Sequence, residues 1–483
     1  MRLIMKRLPE GFSLFLKKAC PTCVLIEPLI QRMSDAGLPL TVYSQDDPLF
    51  PTGFARIIDD VNLEYSFHQR IETVPTLILT RENKEVARLA GWHREEWQAL
   101  TGLNELGADL PGYRPGCGAL NMEPGKTEEL ALQFGAVKLA ARRIEVATMV
   151  DEMETCFEKG WTDGLPVIPP TPQRVVSMLQ GTRRQPDEIV GVIPPNNVAC
   201  SVEKVAINAV MAGCKPEYLP VVLATVEAAC LDEFCMHGLL ATTYFSSPVV
   251  IVNGPIRQAI QMNSGVNALG QGNRANATIG RALQLVIRNI GGGVPGGVDR
   301  ATLGSPGKFT FCFAEDEENS PWESLSVQKG YAPDTSTVTL FPGHGVHEIF
   351  DQLSRTPESL ARSMAGCLAT VVHPKISMAA DAVVVVCPEH VSVFKAAGWS
   401  KQRLLDELHS LLQMSGRQAV RGADGIAEGL PESFAADPQI PKFKTDGLMI
   451  VHAGGPAGKF SAVISGWVAS GATGSQTVTK EIE

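Results

Sequence analysis

The sequence is short of several things. No window approaches the ~18 uncharged apolar residues that a membrane-spanning helix needs, so no membrane segment is expected. The opening stretch, Met1-Arg2-Leu3-Ile4-Met5-Lys6-Arg7-Leu8-Pro9, interrupts its apolar residues with charge too soon for a secretory h-region. Basic residues are not clustered, aromatics make up only 6 % of the chain, and the formal net charge is −10. No electrostatic footprint for nucleic acid is present, so it is not an expected partner. There is no Gly-x-Gly-x-x-Gly or P-loop fingerprint, and no clean internal repeat. Eleven cysteines, an odd count spread thinly, do not make an extracellular disulfide framework. They read as reduced thiols of a cytoplasmic protein.

What is present fits an ordinary globular enzyme. The 483 residues, 44 % of them hydrophobic, suffice for roughly two to four domains of ~150 residues, each with its own core. The organising stretch is an apolar run, Phe12-Ser13-Leu14-Phe15-Leu16, that ends in Cys20-Pro21-Thr22-Cys23. Val24, Ile26, Leu29, Ile30 and Met33 then follow a helical period, and Gly37 closes it as a C-cap would. Two cysteines three apart at a helix start share a face, so a disulfide can close between them. The first sits where free amide N–H groups favour a thiolate. About fifty residues on, Val74-Pro75-Thr76 opens another strand, Leu77-Ile78-Leu79. A zinc half-site or a structural disulfide is the alternative, but zinc needs further ligands and none lies near before His68 and His93.

Strand, Cys-x-x-Cys, helix, strand, helix, x-Pro-Thr, strand, turn, strand, helix over roughly residues 10–105 resembles the thioredoxin family. The resemblance implies a thioredoxin-like fold and a cis Pro75 packed against the dithiol. It also implies an exposed Cys20 as attacking thiolate, with a pKa near 7, and Cys23 as the resolving thiol. Ala19 stands where thioredoxins carry tryptophan, and Pro-Thr replaces Gly-Pro between the cysteines, which points to dithiol chemistry with narrower clients.

Residues 1–108 are expected to be this thioredoxin-like domain, with a short helix near 53–59. Residues 109–140, broken by Pro111, Gly112, Pro115, Gly116, Gly118, Pro124 and Gly125, look like a linker. Residues 141–483 alternate apolar strands, helices and Gly-rich turns, which indicates a larger α/β layered domain. It opens with a helix from about Glu145 to Lys159. The run from Gly160 (Gly-Trp-Thr-Asp-Gly-Leu-Pro-Val-Ile-Pro-Pro-Thr) is similar to one in a group of bacterial proteins without an established reaction. That resemblance implies a domain and no activity.

Four further groups could carry chemistry there. His237, in Cys235-Met-His237-Gly, follows a buried helix, where active-site loops lie, and is a candidate catalytic imidazole; a hydrogen-bonded structural histidine is the alternative. Asn253, Arg274, Asn276 and Arg281 belong to a polar, glycine-rich stretch suited to a small anion or carboxylate, or else to a tight structural loop. Glu315 ends a strand and opens the acidic run Glu315–Glu318 before Trp322; a raised pKa would make it a general acid or base, and a solvated turn is the other reading. His344 and His347 form an HxxH pair, and no metal site is assigned to it.

The expected protein is a thiol–disulfide oxidoreductase. Its Cys20/Cys23 dithiol would exchange electrons with a fused domain that binds a small, anionic molecule, and a cellular thiol or disulfide reductant would restore it. No cofactor is expected, and Ala-rich helices are compatible with a homodimer. The alternatives are a thiol-dependent lyase or hydrolase, and a redox-sensing scaffold without catalysis.

Overall fold

The computed structural model describes residues 6–135, 138–147, 150–421, 429–469 and 474–483. Its packing divides the chain into two units, Met1–Leu139 with Pro172–Val176, and Ala140–Thr171 with Ser177–Glu483. Both contain helices and sheets, and the fold class is α/β.

The first unit is built on a five-stranded sheet. In chain order its strands are β1 (Gly11–Leu16), β2 (Leu40–Ser44), β3 (Ile57–Asp59), β4 (Thr76–Arg81) and β5 (Lys84–Ala90), arranged β3-β2-β1-β4-β5. β1 is central, parallel to β2 (Leu14 opposite Val42) and antiparallel to β4 (Leu14 opposite Leu77). Its apolar run is buried on both faces, as a covered central strand requires. Helices Pro21–Leu25 and Glu27–Asp35 follow, and the second buries Leu29, Ile30 and Met33 in a core with Leu14, Leu77, Trp92 and Trp97. Residues 57–59 form a strand rather than the expected short helix. β-Branched Ile57 and Ile58 pair in parallel with Val42 and Tyr43.

Residues 109–135 are not a free connector; they belong to this unit. Tyr113–Arg114 runs antiparallel to Trp92–His93, and Cys117–Gly118 runs antiparallel to Thr73–Val74. Helix Lys126–Phe134 follows. The residues that break periodicity here permit close approach: a Cβ on Gly116 would stand 2.2 Å from Thr73 Cγ2 and 2.8 Å from Val74 O.

The second unit has a seven-stranded sheet of β6 (Ser247–Asn253), β7 (Cys312–Ala314), β8 (Thr337–Phe350), β9 (Ala380–Val386), β10 (Leu448–His452), β11 (Phe460–Val468) and β12 (Val478–Glu481). The order is β7-β6-β8-β11-β9-β10, with β12 also on β8. The 14-residue β8 organises it: Thr337–Leu340 pairs with β12, Ser247–Asn253 with its first half, and Phe460–Gly466 with its second. One face gathers Val249, Ile251, Phe313, Phe341, Val383 and Val451. The other, through Val384, Val386 and Ile450, meets helices Pro357–Leu368 and Lys401–Leu411. Beyond β7 the chain returns to β10, where Asp316 N donates to His452 O at 2.8 Å.

Helices Val202–Ala212, Leu219–Ala229 and Arg274–Asn289 pack together beside this sheet. Ser201 and Asn273 cap the first and last of them, accepting from Lys204 N and Asn276 N. Of the expected helix 145–159, Glu152–Glu158 is helical, capped by Asp151; residues 148–149 lie outside the described residues. Among the described residues no helix is long and apolar enough to cross a membrane.

Candidate functional site

The dithiol lies where β1 gives way to the first helix. Asp46 shapes the approach: its carboxylate accepts from Lys18 N at 2.6 Å and Ala19 N at 2.9 Å. Cys20 stands in extended conformation at the N-cap, Pro21 begins the helix, and Val24 N donates to Cys20 O at 3.1 Å. Proline suits that position because its missing N–H has no intrahelical partner there. The Val74–Pro75 peptide is cis, and Cys20 Sγ lies 3.4 Å from Val74 O. Cys20, Cys23 and the Val74–Pro75 peptide thus lie together.

The covering of this site differs from the expectation. Cys20 is not exposed: both Cys20 and Cys23 have 0 % of their surface accessible. The segment 113–118 lies over them. Thr22 Oγ1 donates to Pro115 O at 2.7 Å, Lys17 Nζ to Gly118 O at 2.7 Å, and Ala119 N to Glu72 O at 3.0 Å. Cys117, opposite Val74 in the antiparallel register, brings its Sγ to 2.9 Å from Cys20 Sγ. It keeps part of its own surface exposed. None of the eleven cysteines, all among the described residues, is joined in a disulfide.

The three thiols are electrostatically distinct. Cys20 is drawn down to about 5, first by the hydrogen bond from Cys23, then by Cys117 and the amides of Cys23 and Thr22, against the cost of burial. It is thus more acidic than the value near 7 that the resemblance implies. Cys23 is pushed far up, by burial first and by its bond to Cys20 second. Cys117 moves up as well, through burial and then through Cys20. At neutral pH the arrangement holds one thiolate flanked by two thiols, which suits attack on a disulfide sulfur.

In the second unit, Asn253 and Glu315 meet at the ends of β6 and β7. Glu315 is fully buried, and its Oε2 accepts from Asn253 Nδ2 at 2.7 Å and Leu325 N at 2.8 Å. Burial pushes its carboxyl up, opposed by Lys401, whose Nζ lies 3.9 Å away. The acidic run is divided: Glu315 and Asp316 are buried, while Glu317 begins a turn in which Glu318 is exposed; Arg257 binds Glu315 O at 2.7 Å and Glu318 Oε1 at 2.9 Å, and pairs with Glu317 at 3.0 Å.

Arg274, Asn276 and Arg281 share helix Arg274–Asn289 but bind different things. Arg274 Nε donates to Gly213 O at 2.8 Å, and Asn276 pins Asn263 through its amide N and O. Arg281 grips Asp163 twice and also donates to Leu165 O and Pro166 O. His237 is exposed on the short helix Met236–Ala241.

The residue that sequence reasoning missed is Cys117. Its partner lies 97 positions away, and the only local sign is its place between Gly116 and Gly118, where the backbone can approach another strand closely. Comparison with family models, with curated proteins and with solved structures finds no match for this chain.

Proposed function

We propose that the protein is a thiol–disulfide oxidoreductase, working through a thioredoxin-like dithiol in which Cys20 is the nucleophile and Cys23 the resolving thiol. The observation that carries this reading is the opposed acidity of two cysteines three residues apart. Cys20 lies down at about 5, while its neighbour is driven up by burial and by Cys20 itself. Cys20 thiolate attacks one sulfur of a client disulfide, and the displaced sulfur leaves as thiolate and takes up a proton. Once Cys20 is bonded it no longer holds a negative charge beside Cys23. Cys23 then loses its proton, attacks Cys20 Sγ and releases the second client sulfur. Two electrons reach the client and a Cys20–Cys23 disulfide remains, which a cytoplasmic thiol reductant reopens.

The client is proposed to be served in conjunction with the fused second unit. Arg274 Nε and the Arg281 Nε and Nη2 donors are engaged within the protein, and the exchange chemistry is the centre of the proposal.

The test is a redox titration. Full-length protein is equilibrated in glutathione buffers of graded ratio, quenched in acid, alkylated and mapped by mass spectrometry. One two-electron couple should appear, with Cys20 and Cys23 both protected when oxidised. A protein that forms no Cys20–Cys23 disulfide at any ratio would sink the proposal.

A further inference from the structure

The sulfur nearest to Cys20 in the hydrogen-bond geometry, other than its motif partner, belongs to Cys117, which neither the motif nor its spacing announces. Its position is built in detail. Segment 113–118 pairs as a strand with Trp92–His93 and then with Thr73–Val74. Side chains from the dithiol loop hold the segment on both sides of Cys117: Thr22 on Pro115 O and Lys17 on Gly118 O, each at 2.7 Å. Two glycines let the chains close up. Gly91 has φ +77°, and a Cβ there would meet Gly116 N at 3.0 Å. Gly116 has no room for one at all beside Thr73. Leu120 N and Asn121 continue the anchorage to Gln45 and Ile71 O.

This is an extended peptide added to a strand edge, with main-chain pairing for affinity and one side chain delivered to a fixed place. The side chain delivered is a thiol, 2.9 Å from Cys20 Sγ. That is inside the contact distance of two sulfurs and outside the 2.03–2.05 Å of a disulfide bond. Cys20 and Cys23 are wholly covered, whereas Cys117 keeps some exposure. A reagent in solution meets Cys117 first.

We propose that Cys117 is a third redox-active cysteine, the port through which small disulfides and thiols exchange with the covered Cys20–Cys23 pair. The inference rests on the exchange chemistry proposed above. Cys117, giving up its proton as it attacks, bonds to one sulfur of a low-molecular-weight disulfide RSSR; RS⁻ leaves and takes up that proton, and Cys117 carries the other RS group. Cys20 thiolate attacks Cys117 Sγ, the second RS⁻ leaves and is protonated, and a Cys20–Cys117 disulfide forms. Cys23, losing its proton, attacks Cys20 Sγ and Cys117 departs as a thiolate that takes up that proton. RSSR and two protein thiols become two RSH and the Cys20–Cys23 disulfide. Reduction by RSH runs the same steps backwards. Cys20 is central to both bonds, with Cys23 and Cys117 as its alternative partners.

Two measurements on the full chain decide the matter. In the first, Cys23→Ser protein is equilibrated with a glutathione buffer, quenched and mapped. A Cys20–Cys117 disulfide is expected, and Cys23→Ala should form it too, which guards against a folding defect in either variant. Both thiols remaining free, or glutathione ending on Cys20, overturns the proposal. In the second, oxidation of wild type by oxidised glutathione is followed by rapid acid quench. The first glutathione adduct should sit on Cys117. Cys117→Ser should slow formation of the Cys20–Cys23 disulfide by about tenfold or more, because attack on Cys20 then waits for a local opening. An unchanged or faster rate would mean that segment 113–118 is only a cover. If wild type forms its Cys20–Cys23 disulfide while the Cys23 variants form no Cys20–Cys117 bond, the exchange chemistry stands and the third thiol falls. If wild type forms no disulfide either, the exchange chemistry itself falls.

Discussion

Arg281 and Asp163, 118 residues apart in the chain, are joined by two parallel 2.8 Å hydrogen bonds, Nε to Oδ2 and Nη2 to Oδ1. The same guanidinium reaches Leu165 O at 3.2 Å and Pro166 O at 2.9 Å, so one side chain fixes the whole turn at 163–166. Arginine presents its donors in a planar fork that matches a carboxylate, and lysine cannot reproduce it. Both side chains are largely buried, and burial would push Asp163 up, yet its bonds to Arg281 hold it below the usual carboxylate range. Asp163→Asn leaves a guanidinium facing an amide and is expected to cost about 2–4 kcal/mol. The measurement is urea unfolding with unchanged m-value. A loss below about 0.5 kcal/mol, the range of an ordinary surface change, would show the clamp to be dispensable.

Gly116 offers a way to lift the strand off the dithiol without touching a cysteine. Gly116→Ala places a methyl group 2.2 Å from Thr73 Cγ2, so the strand must move outward. Alkylation of Cys20 by iodoacetamide, followed by mass spectrometry, should then accelerate by about tenfold. Gly118→Ala is the control, because a Cβ there meets nothing within 4 Å. Equal rates in the two variants would mean that Gly116 is not what seats the segment.

The acidity of Cys20 has a consequence for stability, with a definite sign. Its folded value is down at about 5, whereas an unfolded thiol loses its proton near pH 8.5. Between those values the unfolded chain holds a proton that the folded chain has released, so stability rises with pH. The contribution is complete above ~8.5 and is lost as pH falls through about 5. Cys23 is displaced upward and acts in the opposite sense, but only above ~8.5. Reduced wild type should therefore show a steeper rise of unfolding free energy between pH 5 and 8 than Cys20→Ser, together with a far-ultraviolet thiolate band that titrates near pH 5. Parallel pH profiles for the two proteins would contradict the assignment.

Local signals were legible in the sequence and distant pairings were not. Cys20, Cys23 and Pro75 stand in short motifs, and Ser247–Asn253 is a continuous apolar run, so the strand forms where the residues point. The segment around Cys117 has no period at all. Its strand exists only because Thr73–Val74 is there to pair with it. Ile57–Asp59 becomes a strand for the same reason, since β2 supplies a partner. β8 runs on to Phe350 through Gly343 and Gly345 because β11 continues the ladder, with a bulge between Gly343 and Val346. Arg281 could be read as an anion ligand only because its carboxylate, Asp163, is supplied by a distant part of the chain.

The return of the chain from β7 to β10 bears on how this protein behaves when crowded. An outer strand with free carbonyls is a template on which another molecule can polymerise. Here Ile450 O already accepts from Lys401 Nζ at 3.1 Å, and His452 O from Asp316 N at 2.8 Å. The other terminal strand in the pairing order, β7, is only three residues long, too short to seed much growth. A strand arriving at β10 would have to expel a buried ammonium that also stands near Glu315, leaving that carboxylate stranded in the core. The same lysine thus stands beside Glu315 in the interior and occupies an outward carbonyl of β10.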